Sequence, residues 1–155
     1  MNLAYQNPLE GLRSALAGGP TRSLRQAIGD AGSAGWWAAA IQLAGTLWFN
    51  LSTYEALRSL PTREEEALVW APDAIGSVCF LIASYLVLLE ACGRWWCLRD
   101  GSLPWRIAMV NLSGSIAFGV SAVAAYIVPA TGQELSPTWA NGATFAGAVL
   151  FLIGA

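Results

Sequence analysis

WWAAAIQLAGTLWFNLS at residues 36–52 and WRIAMVNLSGSIAFGVS at residues 105–121 read as one segment written twice. A shift of 69 brings Trp36, Ala39, Leu43, Gly45, Phe49 and Ser52 onto Trp105, Ala108, Leu112, Gly114, Phe118 and Ser121, so six of 17 positions are identical. Between them Ile41 meets Val110, Gln42 meets Asn111, Thr46 meets Ser115 and Leu47 meets Ile116. A second pair follows in the same order at a shift of 71: GSVCFLIAS (76–84) meets GAVLFLIGA (147–155), with five of nine identical. Two blocks in one order at nearly one offset predict an internal repeat.

The matched residues share a helix face. Gln42, Gly45, Phe49 and Ser52 lie at i, i+3, i+7 and i+10, as do Asn111, Gly114, Phe118 and Ser121. Gly76 and Phe80 repeat as Gly147 and Phe151. Such a stripe is a packing seam: Gly for close approach, Phe to fill the gap, a small polar residue to bond across. Each repeat is expected to be a helical hairpin.

Composition places these hairpins in a bilayer. Charged residues make up 12% of the 155, about half the usual share of a soluble domain, and hydrophobic residues 55%. There is no His, and all eight basic residues are Arg, which excludes His acid–base chemistry, His metal sites and Lys Schiff bases. A net charge of −2 without a basic block argues against nucleic acid as a partner. Cys79, Cys92 and Cys97 are an odd number with no CxxC pair, read as free thiols.

Charge-free runs give four spans. Residues 31–54, 107–133 and 135–155 hold 24, 27 and 21 residues without a charge, against the ~20 that cross ~30 Å of hydrocarbon. The run 74–89 is shortest, at 16 residues, with Asp73 and Glu90 set at the headgroups. Trp36, Trp37, Trp70, Trp95, Trp96, Trp105 and Trp139 fall at the boundaries as interfacial anchors; only Trp48 lies inside a span. The fold expected is all-α, with four transmembrane helices arranged as two tandem helical-hairpin repeats of the same orientation. Its parts are a flexible tail (1–30), a first hairpin (31–92) with an outer loop (55–73), a connecting loop (93–106) and a second hairpin (107–155).

Six arginines lie in the tail (Arg13, Arg22, Arg25) and the connecting loop (Arg94, Arg99, Arg106), against Arg58 and Arg63 on the other side. The positive-inside rule then puts both termini in the cytoplasm and the acidic loops outside. The tail lacks an apolar core and is not a signal peptide. In the outer loop, Thr62 as N-cap and Glu65 as its partner predict a surface helix Arg63–Trp70 whose acidic face is solvated rather than ligand-binding.

The hairpin unit, with Gly-Ser-x-x-Phe-Leu at 76–81, its echo at 147–152 and Trp70-Ala-Pro-Asp73 before the second span, resembles the YrhK-like membrane domain. The resemblance covers residues 36–155. It implies a small bacterial inner-membrane protein of uncharacterised function, with no catalytic residues to carry over. By the first repeat, the fourth helix would continue about six residues past Ala155, to the counterpart of Glu90, so a truncated chain is expected.

Candidate sites are few. Gln42 and Asn111 sit six residues in from Trp36 and Trp105, about 9 Å below the inner interface at 1.5 Å per residue. They form either interhelical glue or a polar cavity near the axis. Asp73 is read as a helix cap, with cation binding as the alternative. Glu90 is read as an i,i+4 partner of Arg94, with proton carriage as the alternative. Tyr54 and Tyr85 pack or anchor. GxGxxG, GxSxG and GxxxxGK[ST] are absent. The expectation is a non-enzymatic scaffold or accessory protein without metal or cofactor. Its partners would be lipid and a second copy or another membrane protein, met through Ser115/Gly119 or Ala143/Gly147. The alternative is a small channel or transporter with a path lined by Gln42, Asn111, Ser52 and Ser121.

Overall fold

A computed structural model describes residues 33–58, 60–93 and 101–155. The tail, Arg94, Trp95, Trp96, Cys97 and Arg99 lie outside them. The described chain is mostly helical, with four long helices: α1 (Ala34–Ala56), α2 (Ala71–Cys92), α3 (Leu103–Ala124) and α4 (Pro137–Gly154).

The helices start in matched ways. Ser33 Oγ accepts the Trp36 N–H at 3.2 Å, and Ser102 Oγ accepts the Trp105 N–H at 3.4 Å. Each hydroxyl satisfies one of the free donors of a first turn. α2 and α4 have no side-chain cap and carry proline in the first turn, Pro72 and Pro137, as α3 also does with Pro104, where the missing N–H costs least.

Before α2 the chain departs from the expected capped surface helix. The helical turn is Thr62–Glu65, one residue earlier, and the Pro61 carbonyl accepts from the N–H groups of Glu64 and Glu65, each at 2.9 Å. It then widens into a π turn over Glu66–Trp70, whose last bond runs from the Ala71 N–H to the Glu66 carbonyl, and passes into α2 without a break. Pro72 explains the wide turn: it has no N–H for an α-helical bond and its ring crowds the preceding carbonyls.

Asp73 is therefore not a cap. Trp70, at the start of α2, has helical φ −66° and ψ −47°, and no side chain caps it. The helical run Arg63–Cys92 is 30 residues long. The span that was shortest by charge counting belongs to the longest helical run, because Asp73 and Glu90 fall within it. Gly93, at φ 62°, ends α2 with its N–H on the Leu89 carbonyl; glycine adopts this left-handed conformation without a Cβ clash.

The link between α3 and α4 adds a feature to the helical reading. Ile127–Val128 and Gln133–Glu134 pair as two antiparallel strands around Pro129–Gly132, and Gly132 is at φ 65°. The Leu135 N–H bonds the Tyr126 carbonyl at 2.8 Å, and the Ser136 N–H that of Ala124 at 2.9 Å. The Pro-Ala-Thr-Gly turn was the available signal; charge counting passed over it because the segment is uncharged.

α1 packs on α2, α2 on α3 and α3 on α4, while α1 and α4 make no extended packing contact. Arg63–Cys92 and Leu103–Ala124 are long and apolar enough to cross a membrane, yet only 28% and 33% of their most apolar stretches are buried. α1, with Gln42, Asn50 and Glu55, is more polar, and α4, at 18 residues, is the shortest of the four. Large apolar side chains face outward on all four helices, among them Leu47, Val78, Ile116 and Leu152. The buried set is small: Ala38, Ala83, Leu88, Ala108, Ala122, Ala140 and Ala143 lie inside with Ser77, Ser84, Ser115 and Ser121.

Candidate functional site

Two glycine crossings hold the hairpins. On α1 and α2, a Cβ added to Gly45 would lie 3.2 Å from the Gly76 carbonyl, and one on Gly76 would lie 3.1 Å from the Gly45 carbonyl and 2.8 Å from the Phe49 ring. On α3 and α4, a Cβ on Gly114 would lie 3.2 Å from the Gly147 carbonyl and 3.0 Å from Phe151. One on Gly147 would lie 3.1 Å from the Gly114 carbonyl and 3.2 Å from Phe118. Backbone meets backbone only because no side chain intervenes.

Four of the five phenylalanines converge at the centre. Phe49 stacks on Phe80 at 5.1 Å, Phe118 lies 5.4 Å from Phe49 and 6.0 Å from Phe80, and Phe151 lies 5.5 Å from Phe80 and 5.7 Å from Phe118. Helical side chains lean toward their N-terminus, and each ring lies against the glycine of the partner helix: Phe49 on Gly76, Phe80 on Gly45, Phe118 on Gly147 and Phe151 on Gly114.

Hydroxyls tie the helices together. Ser52 Oγ donates to the Val69 carbonyl at 2.8 Å, and Ser121 Oγ donates to the Ala140 carbonyl at 2.8 Å, positions again offset by 69 and 71. Ser121 also bonds Thr144 Oγ1 at 2.6 Å. Between α2 and α3, Ser115 Oγ lies 2.7 Å from Ser84 Oγ and 3.0 Å from the Phe80 carbonyl, and Ser77 Oγ donates to the Phe118 carbonyl at 3.2 Å. Trp70 Nε1 donates to the Ala122 carbonyl at 2.8 Å and its ring packs edge-on against Tyr126. Ser77, Ser84 and this indole bond were not singled out in the sequence; the seven-residue spacing of the two serines was the available signal.

Two clefts open on either side of the phenylalanines. One, of about 330 Å³, is lined by Gly35, Gln42, Ser84, Asn111, Phe151 and Ala155, among others. It brings Gln42 and Asn111 to one space. The other, of about 190 Å³, is lined by Ser52, Glu65, Trp70, Asp73, Ser121, Glu134, Asn141 and Thr144. Ser52 and Ser121 thus share the acidic cleft and not the amide one. Along α1 and α3, Phe49 and Phe118 stand between the two sets. Among the described residues no group of three His, Cys, Asp or Glu could hold a metal ion.

Other expected residues take different places. Ser115 is completely buried, and Ala143 and Gly147 are buried too, so these small residues are spent inside one chain rather than on a spare face. The Glu90 carboxylate lies against Gly35 in the first turn of α1, where free N–H groups favour negative charge; Arg94 lies outside the described residues. Glu55 is buried and pairs with Arg58 at 2.9 Å. Trp36 and Trp37 meet edge-on at 5.0 Å, and Trp139 is exposed. Cys79 is a free thiol, whereas Cys92 is disulfide-bonded rather than free, with its partner outside the described residues.

No family model, curated protein or solved structure matches the chain.

Proposed function

We propose that the chain is a multi-pass inner-membrane protein with four spans, built as two tandem hairpins of the same orientation, and that it serves as a non-enzymatic scaffold or accessory protein. The observation that carries this reading is the use made of its polar and small residues. Glycines are consumed by backbone contact, serines bond across helices, and four phenylalanine rings fill the centre. Apolar side chains turned outward on every helix support a lipid environment. Paired starts at Ser33 and Ser102, paired crossings and paired Ser52 and Ser121 bonds support the repeat. The arginine distribution supports cytoplasmic termini, and the YrhK-like resemblance supports a bacterial source.

A conducting path lined by Gln42, Asn111, Ser52 and Ser121 is disfavoured, because the aromatic cluster stands between the two pairs. The test is solute flux in proteoliposomes. The scaffold reading expects none, with Gln42→Leu plus Asn111→Leu changing stability only. Flux that the double substitution alters overturns it in favour of a channel.

A further inference from the structure

We infer that the protein associates head to tail with a second copy of itself, an exposed stripe of α4 in one copy seating on an exposed stripe of α1 in the next. The inference rests on the two-hairpin membrane reading above and names its partner. Its starting point is an interface already present within the chain. On α3, Ser115 bonds the Phe80 carbonyl and Ser84, Leu81 packs over Gly119 at 3.5 Å from its Cβ position, and the Ala122 carbonyl receives the Trp70 indole. If the two hairpins were related by a closed two-fold axis, α4 would cover α1 as α2 covers α3. It does not; α1 and α4 make no extended contact.

Both halves of that missing interface are therefore open in each chain. The counterparts of Asn111, Ser115, Gly119 and Ala122 are Gln42, Thr46, Asn50 and Thr53, one stripe of α1, and the last three are exposed. The counterparts of Trp70, Ser77, Leu81 and Ser84 are Asn141, Ala148, Leu152 and Ala155, one stripe of α4, all exposed; its ends, Asn141 and Ala155, border the acidic and amide clefts, as Gln42 does on α1. The α1 stripe is also unusually polar for a lipid-facing surface. Thr46 donates only to the Gln42 carbonyl of its own helix, at 3.0 Å, and Asn50 only to the Thr46 carbonyl, at 2.9 Å; on α4, Asn141 donates to the Pro137 carbonyl at 2.9 Å. Each asparagine keeps donor and acceptor capacity that hydrocarbon cannot satisfy and a neighbouring helix can. On α4, alanines stand where Ser77 and Ser84 bond in the internal interface, so the end faces match it in position and small size while the polar groups come from α1 and Asn141; a contact between two different faces of one chain is heterologous.

The test is cysteine cross-linking between differently tagged, co-expressed full-length chains in carbonate-washed membranes, with the unsubstituted chain setting the background of the native cysteines. Asn50→Cys in one copy with Leu152→Cys in the other reproduces the Gly119–Leu81 contact, and Thr46→Cys with Ala155→Cys the Ser115–Ser84 contact. Both pairs are expected to give an oxidised dimer carrying both tags. Leu51→Cys, on the far side of α1, is expected to give none with Leu152→Cys. A chain retained in the membranes without either product, or with equal product from Leu51→Cys, overturns the inference alone. Loss of the chain from the washed membranes overturns the membrane reading and the inference with it.

Discussion

Placing a methyl group at Gly76 should separate the crossing of α1 and α2. In Gly76→Ala the new Cβ would lie 2.8 and 2.9 Å from two atoms of the Phe49 ring and 3.1 Å from the Gly45 carbonyl, against about 3.5–4.0 Å for comfortable contact. The ring has little room, since Phe80 and Phe118 hold it at 5.1 and 5.4 Å. The carbonyl belongs to the helix backbone. Overpacking of this kind costs about 1–3 kcal/mol, and the constrained geometry puts Gly76 at the upper end. Alanine returns about 1 kcal/mol of helix propensity, leaving a net loss of about 2 kcal/mol. At Gly147 the nearest atoms are at 3.1 and 3.2 Å, so the same two terms nearly cancel. Gly142 has nothing within 4 Å and should gain from the substitution. Unfolding by sodium dodecyl sulfate in mixed micelles, followed by far-ultraviolet circular dichroism, reads the three on one scale. The expected order of stability is Gly142→Ala, then Gly147→Ala, then Gly76→Ala. Phe49→Leu in the Gly76→Ala background should recover part of the loss, since it removes the ring but not the carbonyl. A Gly76→Ala protein as stable as the parent would refute the close-crossing argument.

Ser115→Ala removes a hydroxyl bonded to Ser84 and to the Phe80 carbonyl; a loss of about 1 kcal/mol is expected in the same assay. Ser113→Ala, which loses only a bond to the Met109 carbonyl of its own helix, should be near neutral. Trp70→Phe keeps an aromatic ring but loses part of the indole's volume and its bond to the Ala122 carbonyl, and should lower the melting temperature by an amount equivalent to at least about 1 kcal/mol. Phe80→Ala, which empties the centre of the aromatic cluster, should cost more than either, about 3–5 kcal/mol, read in the same unfolding titration. A cysteine introduced by Glu65→Cys should react with a membrane-impermeant maleimide from outside the cell. Labelling only after the cytoplasmic face is opened would reverse the orientation.

Features that depend on which residues share a helix face were readable in the chain, because a 3.6-residue period fixes them. Gly45, Phe49 and Ser52 could be placed on one stripe and paired with Gly76 and Phe80 from the two matched shifts alone. Features that depend on how far one helix turns toward another were not. Ser84 and Ser115 look like any small residues until α2 and α3 are set face to face. Charge counting also sets boundaries where the backbone does not: Asp73 and Glu90 bound a charge-free run, yet both continue its helix. Thr62 begins the helical turn, and the Pro61 carbonyl accepts its first backbone bonds, which the sequence pattern alone does not show. The disulfide at Cys92 was illegible from an odd count without a spacing motif.

The two connections on the acidic side differ in kind. One is a helical turn that widens before Pro72, the other a pair of short strands. Yet both deliver a carbonyl to the serine hydroxyl waiting at the end of the preceding helix, 17 residues after Ser52 and 19 after Ser121. A part fixed only at its ends is interchangeable in its middle. The exposed tip at Thr131 and Gly132 is thus a natural splice point, where an epitope or a reporter protein can be inserted while the helices keep their spacing.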